Sequence, residues 1–352
     1  MVEFGFTVRQ VRGLSFGQLV ELVKQVEAAG FDAVWMPDSQ LVMSEAYVSL
    51  AVFGLETKKV KLGCCATNPF TRDPTVIASA ISTINILSQG RAEIAFGAGE
   101  TGSRPLGYPY ASTKLLEKVI EEVRLLTQGK SIPRNPGWHG NGVVRLAHTG
   151  GKIPIYLACT GPKMLQLAGR ICDGVILNVG VAREAIMYGL ELVYAGAESK
   201  GRDKRDIKIG CEINFCLSED KRLATNLVKP YARMFATNPS YAKLLDTLGL
   251  SPRAIFQGQE YRSYGDLAHL GDVATPDQII EEGRHTPDEI ARLFSIAGTV
   301  EDFLRKIRDL EQLGIDFLVF KPFFFSEPYP GPEGDQSLII KTFGESIIPA
   351  FR

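Results

Sequence analysis

Residues 60–74 read VKLGCCATNPFTRDP, an apolar strand that runs into Asn68-Pro69 and then a helix with a proline in its first turn, Asp73-Pro74. The stretch is third in a series of strand–helix units, where a barrel strand delivers its C-terminal end to an active site. Cys64-Cys65-Ala66-Thr67-Asn68-Pro69 is too small-sided and irregular for an ordinary strand end. It reads as a bulged backbone pressed against something flat.

Outward from this stretch, short apolar runs alternate with amphipathic ones almost from end to end. Strands are expected near residues 3–8, 32–36, 60–66, 92–96, 153–158, 174–178, 207–213 and 317–320. Several (KLGCCA, IPIYLA, DFLVF) are apolar on both faces, as parallel strands covered by helices must be. Asp73 is an N-cap with Pro74 behind it, Thr286-Pro287-Asp288-Glu289 a capping box, and Thr299-Val300-Glu301-Asp302 an acidic version of one. Helices exit on Gly30, Gly90 and Gly314. Eight units of helix, glycine and apolar strand imply an α/β chain closed into a (β/α)8 TIM barrel rather than an open sheet. Residues 1–352 then form one barrel domain. Residues 217–296 break the rhythm: they are polar and helical, carry Pro239, Pro252, Pro276 and Pro287, and contain no convincing strand. They read as a helical insertion between strands seven and eight, walling the barrel mouth. Residues 326–335 read as loop before a terminal helix.

The bulk properties narrow the function. Apolar residues make up 45% of the 352 and charged residues 22%, with a net charge of −1. Neither sign dominates, which argues against nucleic acid or an anionic membrane as partner. The start MVEFGFTVRQ has no basic or apolar leader pattern, and no window has the roughly 18 uninterrupted apolar residues of a membrane span. Six cysteines stand in no CxxC pair, so neither zinc nor a disulfide framework is expected, and a reducing cytoplasm fits. His139, His148, His269 and His285 lack metal spacing and follow no barrel strand, so no metal site is expected.

In a barrel, chemistry belongs to the C-terminal strand ends. Those ends carry Thr7 to Arg9, Pro37 to Ser39, Cys64 to Asn68, Gly97 to Glu100, Ala158 to Pro162, and Asn178 to Gly180. Gly97-Ala98-Gly99-Glu100-Thr101-Gly102 matches the dinucleotide fingerprint in letters only, because Ser103-Arg104-Pro105 cannot open the helix that the fingerprint needs. Here the glycines let backbone approach a cofactor while Glu100 projects into the mouth. Thr160-Gly161-Pro162-Lys163 begins a helix and is either an anion site or simply a tight strand-to-helix turn. Asp38 and Glu100 are the two carboxylates expected to face the pocket, one as general acid; Asp38 reads equally as a helix cap. Residues 138–142 look like a hairpin, and Phe323, Phe324 and Phe325 look like an apolar wall or a seat for the terminal helix.

Taken together these strand ends resemble the luciferase-like TIM-barrel superfamily. The likeness is to its branch using the deazaflavin coenzyme F420, near methylenetetrahydromethanopterin reductase and its bacterial relatives. The similarity runs from FGFTV through LGCCATNPFTRDP, SQGRAEIAFGAGE and IPIYLACTGPKMLQLAGRICDGVILNVG to GIDFLVF. It implies an F420-dependent oxidoreductase moving hydride between the deazaflavin C5 and a carbonyl, iminium or alcohol carbon of a small molecule. It implies a cis peptide between Cys65 and Ala66 behind the middle ring, with Asp38, Thr67 and Asn68 near the head group. Gly97 and Gly99 would lie along the cofactor. Ala158, Cys159, Thr160, Gly161, Pro162, Asn178, Val179 and Gly180 would hold its phosphate end. Glu100, or less readily Asp38, would handle the proton. Two departures stand out. Ser39 replaces the histidine of sugar-phosphate-oxidising relatives, and Glu100 the aspartate of the pterin reductase. Relatives commonly form homodimers. The alternatives are an FMN-dependent monooxygenase on the same barrel and a non-catalytic flavin-binding protein.

Overall fold

A computed structural model of the protein describes all residues except 135–141, 252–255, 257–275, 324–328 and 330. The expected hairpin around Trp138, His139 and His269, Pro252, Phe324 and Phe325, and part of the 326–335 loop lie outside the described residues. In chain order the strands are β1 (Glu3–Thr7), β2 (Ala33–Met36), β3 (Lys61–Thr67), β4 (Ala92–Phe96), β5 (Ile132–Pro133), β6 (Val143–Val144), β7 (Ile155–Cys159), β8 (Gly174–Leu177), β9 (Lys208–Leu217), β10 (Ser295–Gly298) and β11 (Phe317–Pro322). The first helices are α1 (Phe16–Ala28), α2 (Ala46–Glu56), α3 (Pro74–Leu87), α4 (Thr113–Thr127), α5 (Pro162–Ile171) and α6 (Arg183–Glu198). They are followed by α7 (Lys221–Thr237), α8 (Ala242–Thr247), α9 (Pro276–Gly283), α10 (Asp288–Phe294), α11 (Val300–Gln312) and α12 (Gln336–Thr342).

Hydrogen bonding runs β11-β1-β2-β3-β4-β7-β8-β9 and back to β11, all parallel, so eight strands close a (β/α)8 barrel. The short pair β5–β6 lies apart as an antiparallel ribbon. Gly30, Gly90 and Gly314, the predicted helix exits, have φ of +88°, +91° and +85°, which a side chain would strain. Asp73 caps α3 by accepting from the Thr75 amide, with Pro74 in the first turn.

Two sequence expectations need correction. Residues 217–296 are not without a strand: β10 pairs in parallel with Asn214–Leu217 of β9. Asn214 and Phe215 also pair with β11, so β10 occupies the other edge of β9, above the point where β8 ends. Its sequence SIAG is too short and small to stand out from the helix before it. The box at Thr286 does not form either. Pro287 is extended, α10 starts one residue later than expected, and the buried Thr286 Oγ1 has no hydrogen-bond partner.

The barrel is packed shut below its mouth. Trp35, Tyr156 and Phe317 fill the interior, with Trp35 stacked on Phe317 at 6.2 Å and Tyr156 edge-on to Phe317 at 5.3 Å. They fit because neighbouring strands carry glycine where they lie. A Cβ on Gly63 would sit 2.0 Å from the Trp35 ring, and one on Gly210 2.2 Å from the Phe317 ring. Beneath them, at the N-terminal strand ends, Glu3 accepts from Lys61 at 2.8 Å and Lys208 at 2.7 Å, and Tyr156 donates to Glu93 at 3.3 Å.

Candidate active site at the C-terminal end of the barrel

A cavity of about 630 Å³ opens at the C-terminal ends of the strands. Its most regular wall is made by neighbouring strands β3, β4 and β7, which present Cys65, Ala66, Gly97, Ala98 and Ala158. None of these five side chains exceeds a thiol, so this patch is flat; Leu157 of β7 lines the cavity too. Register explains the shape: Cys65 pairs with Ala95 and Thr67 with Phe96, leaving Ala66 as the extra residue of a bulge. The Cys65–Ala66 peptide is cis. A Cβ added to Gly97 would meet that of Ala66 at 2.9 Å, so the surface is available only with glycine at 97. Burial pushes the Cys65 and Cys159 thiols well up, which leaves these sulfurs as protonated lining rather than nucleophiles.

At one end of the wall Glu100 lines the cavity, and its carboxylate accepts from the Tyr110 hydroxyl. Gly99, at φ +94°, turns the chain there; a Cβ on it would clash with Ser103 Oγ at 2.0 Å. The glycine run is followed by a single 3-10 turn, Arg104–Leu106, and not by the helix of a dinucleotide fold. At the other end, α5 starts after Gly161, its N-cap, with no side chain capping its amides, and Thr160, Gly161, Pro162, Lys163 and Met164 line the cavity. Thr160 itself donates to the Asn178 carbonyl at 2.8 Å. The segment after β9 supplies the facing wall through Met234, Phe235, Asn238, Pro239, Ser240, Tyr241 and Lys243. The Tyr241 hydroxyl donates to Asn178 Oδ1 at 3.1 Å, joining this wall to the barrel.

Of the residues singled out from sequence, Cys65, Ala66, Asn68, Gly97, Gly99, Glu100, Ala158, Cys159, Thr160, Gly161, Pro162 and Asn178 meet on this cavity. Four do not. Asp38 is 2% exposed and lies behind the wall, where its Oδ2 accepts from Arg72 at 2.7 Å and from the Thr67 hydroxyl at 2.8 Å. It is not a helix cap either, since Glu45 caps α2. Thr67, fully buried, also accepts from Tyr47 at 3.1 Å. Arg72 continues the chain to Glu45 at 2.5 Å, so Tyr47, Thr67, Asp38, Arg72 and Glu45 form one strut under the bulge. Gly180 packs against the end of α10, where a Cβ on it would meet the Leu293 carbonyl at 2.4 Å, while Val179 is fully buried facing Gly189 of α6.

Reading the strand ends alone omits Glu212 on β9 and Lys321 on β11, which line the cavity 2.9 Å apart. The available signal was a glutamate inside the largely apolar run IGCEINFC, a buried charge in a strand. Tyr110 and the α7–α8 residues were invisible because sequence does not say how a long segment folds back. Among the described residues no cluster of His, Cys, Asp and Glu is placed to hold a metal ion, and no helix is long and apolar enough to cross a membrane.

A closed (β/α)8 barrel with a cavity at the C-terminal strand ends is the architecture of enzymes that act on small molecules. The chain belongs to the luciferase-like monooxygenase family, whose profile matches residues 2–316. It is 29% identical to the 5,10-methylenetetrahydromethanopterin reductase of Archaeoglobus fulgidus, over 99% of each chain. Among solved structures it resembles the coenzyme F420-dependent tetrahydromethanopterin reductase of Methanopyrus kandleri, with TM-score 0.73, 23% identity, and 100% and 99% of the two chains covered. An F420-dependent secondary alcohol dehydrogenase in complex with an F420-acetone adduct has the same TM-score and coverage at 20% identity.

Proposed function

We propose that the protein is an F420-dependent oxidoreductase that transfers hydride between the deazaflavin C5 and a carbonyl, iminium or alcohol carbon of a small molecule. The observation that carries the reading is the flat wall of Cys65, Ala66, Gly97 and Ala158, which offers a planar ring an unobstructed face. Three further features fit the coenzyme. Asn68 is 1% exposed, lines the cavity, and its Nδ2 has no hydrogen-bond partner, so a donor awaits an acceptor. The uncapped N-terminus of α5 suits a phosphate. The cradle at Gly97 closes to any side chain.

When bound, the coenzyme supplies a two-electron hydride at C5. The chain's own residues do the rest. Cys65, Ala66 and Gly97 would orient the ring, the Gly161 and Lys163 amides would hold the phosphate, and Met234, Phe235 and Tyr241 would exclude water. Glu100 gives or takes the proton that accompanies reduction of a carbonyl, and Tyr110 holds its carboxylate in place. Asp38, with Arg72 and Thr67, supports the bulge from behind and acts as a positioning residue. The relatives named as pterin reductase and alcohol dehydrogenase support an iminium or a ketone as acceptor.

Absorbance titration of the apoprotein with F420 and with FMN tests the reading. Tight F420 binding with substrate-dependent turnover is expected. Preference for FMN with oxygen-dependent turnover would replace the proposal by the monooxygenase that the family description names. Binding without turnover would leave a carrier.

A further inference from the structure

The loops that follow β2 and β4 are joined across the end of β3, the strand that lies between them and carries the bulge. Two contacts make the join. The Ser39 and Thr101 hydroxyls are hydrogen-bonded to each other, and Gln40 Nε2 donates to the Gly102 carbonyl at 2.6 Å. A Cβ on Gly102 would come within 2.7 Å of the Asp38 carbonyl and 2.9 Å of Asn68 Nδ2, so only glycine lets the loops approach this closely. Ser39 is 6% exposed, and its carbonyl accepts from the Val42 and Met43 amides, both at 2.9 Å. Ser39 and Thr101 both line the cavity. Two hydroxyls hold two protons, and their mutual bond uses one. Among the described residues neither oxygen has another partner, so one O–H is left to donate. Thr101 follows Glu100, so this spare donor borders the cavity beside the carboxylate that handles the proton. Other donors line the cavity but stand elsewhere. Lys163 is at the start of α5, Lys243 on the facing wall, Lys321 against Glu212, and Arg9 against Tyr231.

We propose that the Ser39–Thr101 hydroxyl pair binds the reacting oxygen of the substrate, which makes that substrate a carbonyl compound or its alcohol and not an iminium. The proposal rests on the hydride-transfer reading and narrows it. A carbonyl oxygen has lone pairs to accept the spare O–H, whereas an iminium nitrogen has none. Two electrons arrive at the carbonyl carbon with the hydride from reduced F420, and the C=O π pair moves onto the oxygen. The oxygen takes its proton from Glu100, leaving the alcohol and oxidised F420, while the hydroxyl pair keeps both of its protons. A donor already held in place is worth most as the oxygen gains charge. Because the two hydroxyls bond to each other, loss of either leaves the second free to turn towards the oxygen. Only the loss of both removes the donor.

Turnover of two five-membered rings with reduced F420, cyclopentanone and N-methyl-1-pyrrolinium, tests this, with the infrared C=O band of bound cyclopentanone as a second readout. Wild type should prefer the ketone, and its bound C=O band should lie below the position in hexane, the mark of a hydrogen bond. In Ser39→Ala/Thr101→Val the ketone-to-iminium ratio of kcat should fall about 10²–10³-fold, the usual worth of one such donor, and the band should return upward. Ser39→Ala and Thr101→Val alone each keep one hydroxyl, and should lose less than about tenfold. Thr101→Ser should match wild type. Single losses as large as the double would show a bridge that merely holds the loops, and would overturn the proposal. Wild-type preference for the pyrrolinium, or a C=O band at its hexane position, overturns it too, and these two decide the matter if the double variant does not fold. If F420 is oxidised by neither ring, the hydride-transfer reading fails, and the C=O band recorded without F420 still reports on the pair.

Discussion

The two ends of this barrel both contain carboxylates and lysines, and they do opposite things with them. At the N-terminal end Glu3, Lys61, Lys208 and Glu93 knit the strands together under a lid of Trp35, Tyr156 and Phe317. Near the C-terminal end Glu212 and Lys321 make a similar contact but border a cavity of about 630 Å³. The charges are alike; the filling between the strands differs. Where glycine faces an aromatic ring the interior is closed, and where glycine faces alanine, as Gly97 faces Ala66, it stays open. An ion pair in a barrel is thus read by what lies above it and not by its own geometry.

Four substitutions would break or sharpen this contrast. The largest effect belongs to the open end. Glu100→Gln should leave F420 binding and the melting temperature near wild type while lowering kcat by about 10²–10⁴-fold, the usual worth of a positioned acid–base group. Unchanged turnover would remove Glu100 from the chemistry. At the closed end Gly63→Ala should act on stability alone. Its Cβ has no room beside Trp35, so a loss of about 3 kcal/mol or more in urea unfolding is expected. A stable Gly63→Ala protein would mean that the aromatic plug can shift.

The smallest effect concerns pH. Burial works against the charged form of Glu3, but Lys208 and Lys61 outweigh it and hold the carboxyl below its ordinary 4.5. A lowered folded pKa gives stability that is present above the unfolded value and lost as pH falls through the folded one. Glu93 has the opposite sign. Burial raises it, so its contribution is present at low pH and lost as pH rises through its raised value. Unfolding of Glu3→Gln, followed below about pH 4.5, should therefore show a shallower loss in acid than wild type. An equally steep loss would place the acid sensitivity elsewhere. Glu93→Gln should steepen it.

Much of this architecture can be read from residue order. The both-faces-apolar runs and the glycine exits at Gly30, Gly90 and Gly314 define parallel strands and helix ends through backbone sterics and hydrophobic period, which are local. The irregular CCATNP run announces the bulge for the same reason. What escaped was non-local. SIAG becomes β10 only because the upper half of β9 has an unpaired edge. Asp38, placed by its position at a strand end, turns away from the mouth because Arg72 and Thr67 take its Oδ2 from behind.

The chain order of apolar and polar residues thus dictates eight strands, their helices and the flat run after β3, because each depends on neighbours within a few positions. Which carboxylate meets the cavity, and which lysine lies beside Glu212 across 109 residues, depends on barrel closure. Closure brings distant strands into register, and no local pattern encodes that distance.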